Sequence, residues 1–247
     1  MKDLMIKGIR IDHSVLPQDS YVQKIKPIAS LQQLEFHSPV TFFTGENGSG
    51  KSTLLEAMAI CDRFNPEGGT RNYAFSTNDS HSELWQAMTL IKGSRKSLHG
   101  YFLRAESFYN VASAEEIYSR DTREGPKYYH RRSHGESFLA VLEDNFSKNG
   151  IYYLDEPEAA LSPQRQMTLL SHIYDYAGQG AQFFIATHSP ILLSCPDAEI
   201  LSFDDIIQSK RYEETDSYRI TKMFTDNTRY ILEKLLHENE GDNTDEE

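Results

Sequence analysis

Three compact apolar runs punctuate the chain: Val40-Thr41-Phe42-Phe43, Ile151-Tyr152-Tyr153-Leu154 and Phe183-Phe184-Ile185-Ala186. Runs of this length, rich in aromatic and β-branched residues, predict strands buried on both faces of a sheet. Residues 4–11 alternate in part and predict another strand, as do residues 99–104. Helical spacing takes over elsewhere. Phe138, Leu139, Val141, Leu142 and Phe146 mark one apolar face of a helix beginning near Glu136. Residues 53–60 and 111–118 predict two more. Ser162-Pro163 reads as a helix start, with Ser162 as the cap and Pro163 in the first turn, and that helix runs to about Tyr176. Residues 21–36 predict further strands leading to the edge of 40–44, and 81–91 a short helix or strand. Residues 12–20 and 62–78 read as irregular. Strands alternating with helices predict an α/β fold with parallel strands joined by right-handed crossovers.

Composition changes this picture little. The 247 residues suffice for one elaborated α/β domain, and 38% hydrophobic with 25% charged residues is ordinary for a globular protein. No apolar run approaches the roughly 20 residues that span a bilayer. Charges within Met1–Lys7 stand where a signal peptide needs its apolar stretch. Cys61 and Cys195 lie far apart without ligand spacing, so they read as reduced, packed thiols and predict a cytoplasmic protein. The net charge of −12 is uneven: residues 238–247 carry six acids and no base, and read as a disordered acidic tail. A basic cluster opposes it at Arg120, Arg123, Lys127, Arg131 and Arg132, with His130 and His134. Such a cluster is either a solvated face or a contact for nucleic acid.

The chemistry begins between the 40–43 run and the 53–60 helix. Gly45-Glu46-Asn47-Gly48-Ser49-Gly50-Lys51-Ser52-Thr53 has the strand, glycine loop, helix context of a phosphate-binding loop. Glycines let successive N–H groups turn inward as an anion nest, and the helix adds the positive end of its dipole. Lys51 would reach the β- and γ-phosphates, and the Ser52 hydroxyl would ligate Mg²⁺. A nucleoside triphosphate is the expected ligand.

Four later elements extend the site. Asp155 ends the 151–154 run, where a carboxylate can hold Mg²⁺; Glu156 follows and can orient and deprotonate an attacking water. Ser133-His134-Gly135-Glu136-Ser137 opens the amphipathic helix. Ser133 and Glu136 are spaced as a capping box, and the same hydroxyl, glycine N–H and helix end suit a γ-phosphate. Ala159-Ala160-Leu161-Ser162 follows the acidic pair. His188, in Ala186-Thr187-His188-Ser189, stands at the end of a parallel strand, where open α/β sheets bind ligands.

In this order the elements resemble the ABC-type ATPases. Residues 45–53 look like their Walker A motif, Asp155-Glu156 their Walker B with the catalytic glutamate, 160–162 their D-loop, His188 their switch histidine and 133–136 their signature motif. The wording is most similar to compact soluble AAA family ATPases related to the RecF and SMC branch. The resemblance implies a P-loop NTPase fold of ABC type, with a mainly parallel central sheet, an N-terminal antiparallel β subdomain and a small helical insertion. One domain would span 1–237, with 62–135 a helical or irregular insertion ending in the signature. It implies ATP and Mg²⁺ as ligands, Glu156 and His188 as catalytic residues, and the loop with Ser133, Gly135 and Glu136 as the nucleotide contacts. No glutamine stands at the Q-loop, where Glu106 takes the position of a ligand to Mg²⁺ or water. Two chains would sandwich two ATPs head to tail, a homodimer that acts as an ATP-dependent clamp. The clamp would drive a protein partner or a nucleic-acid complex, in DNA maintenance or phage defence. The alternatives are the ATP-binding subunit of a transporter, disfavoured by the missing glutamine, and a regulatory ATP sensor for a separate effector.

Overall fold

The computed structural model describes residues 3–71, 82–104, 108, 113, 116, 129 and 134–237. Among the described residues nine strands form two sheets. β1 (Ile6–Ile11) is central to an antiparallel sheet, between β2 (Gln33–Glu35) and β4 (Met88–Lys92). The main sheet runs β5 (Gly100–Arg104), β6 (Ile151–Asp155), β7 (Gln182–Ala186), β3 (Val40–Thr44), β8 (Glu199–Phe203), β9 (Ile207–Ser209). Its first five strands are parallel and β9 is antiparallel to β8. The fold is therefore α/β with a mostly parallel central sheet and an antiparallel β subdomain.

The three apolar runs are β3, β6 and β7, and all five residues of each are buried. Side chains alternate across a strand, so neighbours part company. Phe43, Phe102, Tyr153 and Phe184 join one core cluster, with helix α1 (Lys51–Cys61) and the small sheet. Phe42, Tyr101, Tyr152 and Phe183 join the other, with α2 (His134–Asn145) and α3 (Pro163–Gly178). Register pairs Tyr152 with Phe183 and Tyr153 with Phe184, and each pair stacks, with centroids 4.9 and 5.5 Å apart. Gln182 ties the sheets together. Its buried amide accepts from Met5 and Ile6 N–H at 3.0 Å and donates to the Ile6 carbonyl at 2.8 Å.

Several expectations need correction. Residues 21–36 hold a 3₁₀ turn (Tyr21–Lys24) and a short helix (Lys26–Ala29), and only Gln33–Glu35 is strand. Pro27 is the reason, since it has no N–H for a ladder and suits a first helical turn. The interval 62–135 is not wholly helical or irregular: it supplies β4 and β5, the latter a strand of the main sheet. Ser162 stands at the start of α3, but its hydroxyl caps nothing; the first turn closes from Gln166 N–H to the Ser162 carbonyl at 2.9 Å. The helix proposed at 111–118 falls almost wholly outside the described residues, as does the 238–247 tail. Two helices follow β9 that the apolar runs did not announce, α4 (Asp216–Asp226) and α5 (Thr228–His237). Among the described residues no helix is long and apolar enough to cross a membrane.

Candidate functional site

The parallel register aligns the carboxyl ends of three strands, pairing Asp155 with Ala186 and Ala186 with Phe43. The loop after β3, the acids after β6 and the histidine after β7 therefore emerge side by side, where ligands bind in such sheets.

The loop turns on three glycines with positive φ, Gly45 at 140°, Gly48 at 78° and Gly50 at 96°. Gly50 is also crowded. A Cβ there would stand 2.7 Å from both Ile25 Cγ2 and Ile28 Cδ1. Gly50→Ala should therefore lower stability by about 1–3 kcal/mol, from strain and overpacking together. A fall in Tm of roughly 3–10 °C would register it, and an unchanged Tm would contradict the crowding.

α1 begins at Lys51, two residues before the sequence predicted, so Lys51 and Ser52 sit in its first turn. Lys51 is buried, and its Nζ donates to the carbonyls of Gly45 at 2.9 Å and Glu46 at 2.8 Å. Burial lowers its pKa, opposed by the charges of Glu156, Asp155 and Glu158. Ser52 Oγ donates to Asp155 Oδ1 at 2.7 Å. Thr53, half-buried, continues the helix, while Glu46 and Asn47 are exposed on the loop.

Glu156 has φ 49° and ψ 49°, a left-handed conformation that an L-residue adopts at a cost of about 1 kcal/mol or more. Its N–H is pinned to the Ala186 carbonyl at 2.9 Å, and a 3₁₀ turn (Pro157–Ala160) follows. The turn carries Glu158, whose Oε1 accepts the His188 backbone N–H at 2.6 Å. Burial and then the Lys51 charge push His188 below the ordinary value of 6.5, against Glu158 and Glu156. The imidazole is thus neutral at pH 7. Because the unfolded chain protonates first as pH falls, the stabilisation is complete above about pH 6.5 and is lost as pH drops through the folded value. Wild type should lose more Tm between pH 7 and pH 5 than His188→Gln; equal losses would contradict this.

The Gly135–Glu136 start of α2 packs against the same turn. Gly135 is buried at the start of α2, where a Cβ would meet the Ala160 carbonyl at 2.9 Å and the Arg165 guanidinium at 2.6 Å. Glu136 pairs with Arg165 at 3.1 Å. Ser133 and Glu106 lie outside the described residues, as do the basic side chains of the 120–134 cluster.

Sequence reading missed a network around Asp155. Arg104 ends β5 opposite Asp155 in register, with Nε 3.8 Å from Asp155 Oδ2, and it pairs with the buried Glu56 of α1. Glu56 also accepts the Ser82 N–H at 2.9 Å. Glu56 is one turn beyond Ser52, so i,i+4 spacing was its available signal.

The donors suit the expected ligands. Ser49 Oγ, Glu158 Oε2 and His188 Nε2 are buried without a hydrogen-bond partner among the described residues, although buried polar atoms are ordinarily paired. Lys51, the Ser49 hydroxyl and His188 Nε2 as an N–H can donate to the oxygens of a phosphate chain, whereas the Glu158 carboxylate oxygen only accepts. The adjoining hydroxyl and carboxylate of Ser52 and Asp155 are the hard oxygen ligands that Mg²⁺ takes alongside phosphates.

A family model described as an AAA domain matches residues 21–227. The cytochrome c biogenesis ATP-binding export protein CcmA of Legionella pneumophila (strain Paris) is 25% identical over 182 residues, covering 68% of this chain and 90% of that protein. Another Legionella pneumophila CcmA is 26% identical over 184 residues, with the same coverage. Among solved structures, the SMC head domain from Thermotoga maritima aligns at 14% identity and TM-score 0.47, covering 84% of this chain and 99% of that one. An inward-facing putative metal-chelate type ABC transporter aligns at 17% identity and TM-score 0.42, covering 79% and 82%. The chain belongs to the AAA-domain family and is an ATP hydrolase.

Proposed function

We propose that this ATPase is a nucleotide-controlled clamp. Two copies close head to tail on two ATPs, and hydrolysis releases them to drive a cytoplasmic protein partner or a nucleic-acid complex. The observation that carries the reading is the gathering of Lys51, Ser52, Asp155, Glu156 and His188 at the carboxyl ends of adjacent parallel strands, with the Gly135–Glu136 helix start supported separately on Arg165.

Each side chain has a task that its setting supports. Lys51 already points its ammonium at loop acceptors, and exchanging two carbonyls for β- and γ-phosphate oxygens strengthens both bonds. Ser52 and Asp155 would hold Mg²⁺, which when bound would supply positive charge to the phosphate oxygens. Arg104 braces the Asp155 carboxylate from behind, through Glu56 on the helix that also carries Ser52. Glu156 accepts the proton of the attacking water, its left-handed backbone fixing where the carboxylate emerges. Neutral His188 offers a ring nitrogen to the γ-phosphate, its backbone anchored by Glu158. Gly135 and Glu136 of the second copy, with Ser133, complete the site. A closed site of this kind assembles only when the γ-phosphate is present, so nucleotide state becomes association state.

Similarity to the export protein CcmA favours a second reading, the ATP-binding subunit of a transporter. Steady-state ATP turnover, measured with and without DNA, RNA and co-purifying proteins, separates them. The clamp reading expects a severalfold change with a nucleic acid or a non-membrane protein. A rate indifferent to these, together with co-purification of a membrane-spanning subunit, would establish the transporter reading instead.

A further inference from the structure

α1 joins the phosphate loop to a second basic feature at its far end. The helix closes in a Schellman motif, with Phe64 N–H bonded to the Ala59 carbonyl at 3.0 Å and Arg63 N–H to Ile60 at 2.9 Å. The residue after the cap is then left-handed, a position that glycine usually fills. Here it is Arg63, at φ 70°. A strained arginine where glycine would be easier suggests that its side chain is needed.

Arg63 borders an open cleft of about 460 Å³ whose walls, among the described residues, carry five cations, Arg63, Arg71, Lys92, Arg95 and Lys96, against one carboxylate, Asp62. Five minus one leaves four positive charges in a chain of net charge −12. Ile151, at the amino end of β6, forms part of the wall, so the cleft lies at the opposite end of that strand from Asp155. The α1 axis separates the cleft from Lys51 by about 16 Å.

The fold accounts for part of this charge. Arg71 pairs with the Asp62 carboxylate at 2.5 Å, donates to its carbonyl at 3.0 Å and lies over the Phe64 ring. Lys92 takes the other Asp62 oxygen at 2.8 Å. Those two cations cap the helix end and neutralise its acid. The other three are not explained so. Arg95 is held by neutral acceptors, the Asp3 and Gly180 carbonyls at 3.0 and 2.9 Å and the Asn149 side chain. Arg63 and Lys96 are exposed, and their side chains make no ion pair or hydrogen bond among the described residues. A cleft lined by one sign of charge focuses its field and concentrates counter-ions.

We propose that this cleft is a second anion site that binds a phosphate-bearing ligand. Arg95 forms a fixed wall, and Arg63 and Lys96 close on the phosphate oxygens from the rim. Guanidinium forks and several positive charges suit a phosphate better than a single carboxylate. The ligand is either a nucleic-acid strand, held by its backbone, or a free phosphate compound. This inference does not rest on the clamp reading, because no residue is shared with the nucleotide site.

The test uses the full chain carrying Lys51→Ala, so that the phosphate loop does not compete for the probes. Inorganic pyrophosphate is titrated by calorimetry, and a fluorescein-labelled single-stranded oligonucleotide by anisotropy. Arg63→Gly with Lys96→Gln should weaken binding of at least one probe about tenfold. Tm should stay level or rise, since glycine suits the left-handed turn. Loss for the oligonucleotide identifies a strand, and loss for pyrophosphate alone identifies a free phosphate compound. Lys96→Gln by itself, at an exposed side chain, repeats the test without touching the turn. The proposal is overturned if neither probe binds the parent, or if both bind parent and variants equally.

Discussion

Glu156→Gln should lower ATP turnover by two to four orders of magnitude while nucleotide affinity changes little. Proton transfer by a positioned carboxylate contributes about 10²–10⁴-fold, equivalent to roughly 3–5 kcal/mol of barrier. Glutamine has the same shape and a carbonyl to orient water, but it cannot take the proton. The backbone holds the side chain in place independently of its charge, through the left-handed φ of 49° and the bond from Glu156 N–H to Ala186. Single-turnover kinetics alongside equilibrium binding would read both quantities. A variant that hydrolyses within tenfold of wild type would remove Glu156 from the chemistry.

Lys51→Ala should abolish tight ATP binding. Each hydrogen bond to a charged group contributes about 1.5–3 kcal/mol, so two to the phosphates amount to a loss of at least about 10²-fold in affinity. The fold itself should tolerate the change. Lys51 is buried without an ion pair among the described residues and bonded to two loop carbonyls, so removing it relieves a desolvated charge while losing two hydrogen bonds. These effects oppose, and Tm should move by only a few degrees. Calorimetric titration of ATP together with thermal melting checks the pair; retained affinity would contradict the role assigned to Lys51.

The strands were legible because β3, β6 and β7 are apolar on both faces, and doubly buried strands have that composition. The loop was legible because its chemistry lies in one contiguous stretch that needs glycine at particular torsions, and Gly45, Gly48 and Gly50 have them. Pairing across the sheet was not legible. Arg104 and Glu56 stand 48 residues apart and meet only because β5 lies beside β6, which no local pattern encodes. Glu158 was visible as one more acid after Pro157, but its bond to the His188 backbone depends on the register of β6 and β7. The left-handed Glu156 gave no signal, since its residue type disfavours that conformation. α4 was a different failure. Ile220, Met223 and Phe224 have helical spacing, but these side chains remain substantially exposed, and no burial run marked them.

The central claim is that the γ-phosphate controls association, and sedimentation equilibrium of the Glu156→Gln protein tests it most directly. With saturating ATP and Mg²⁺ the account predicts twice the 28.3 kDa chain mass, and with ADP the single-chain mass. The same mass in ATP and in ADP would contradict it.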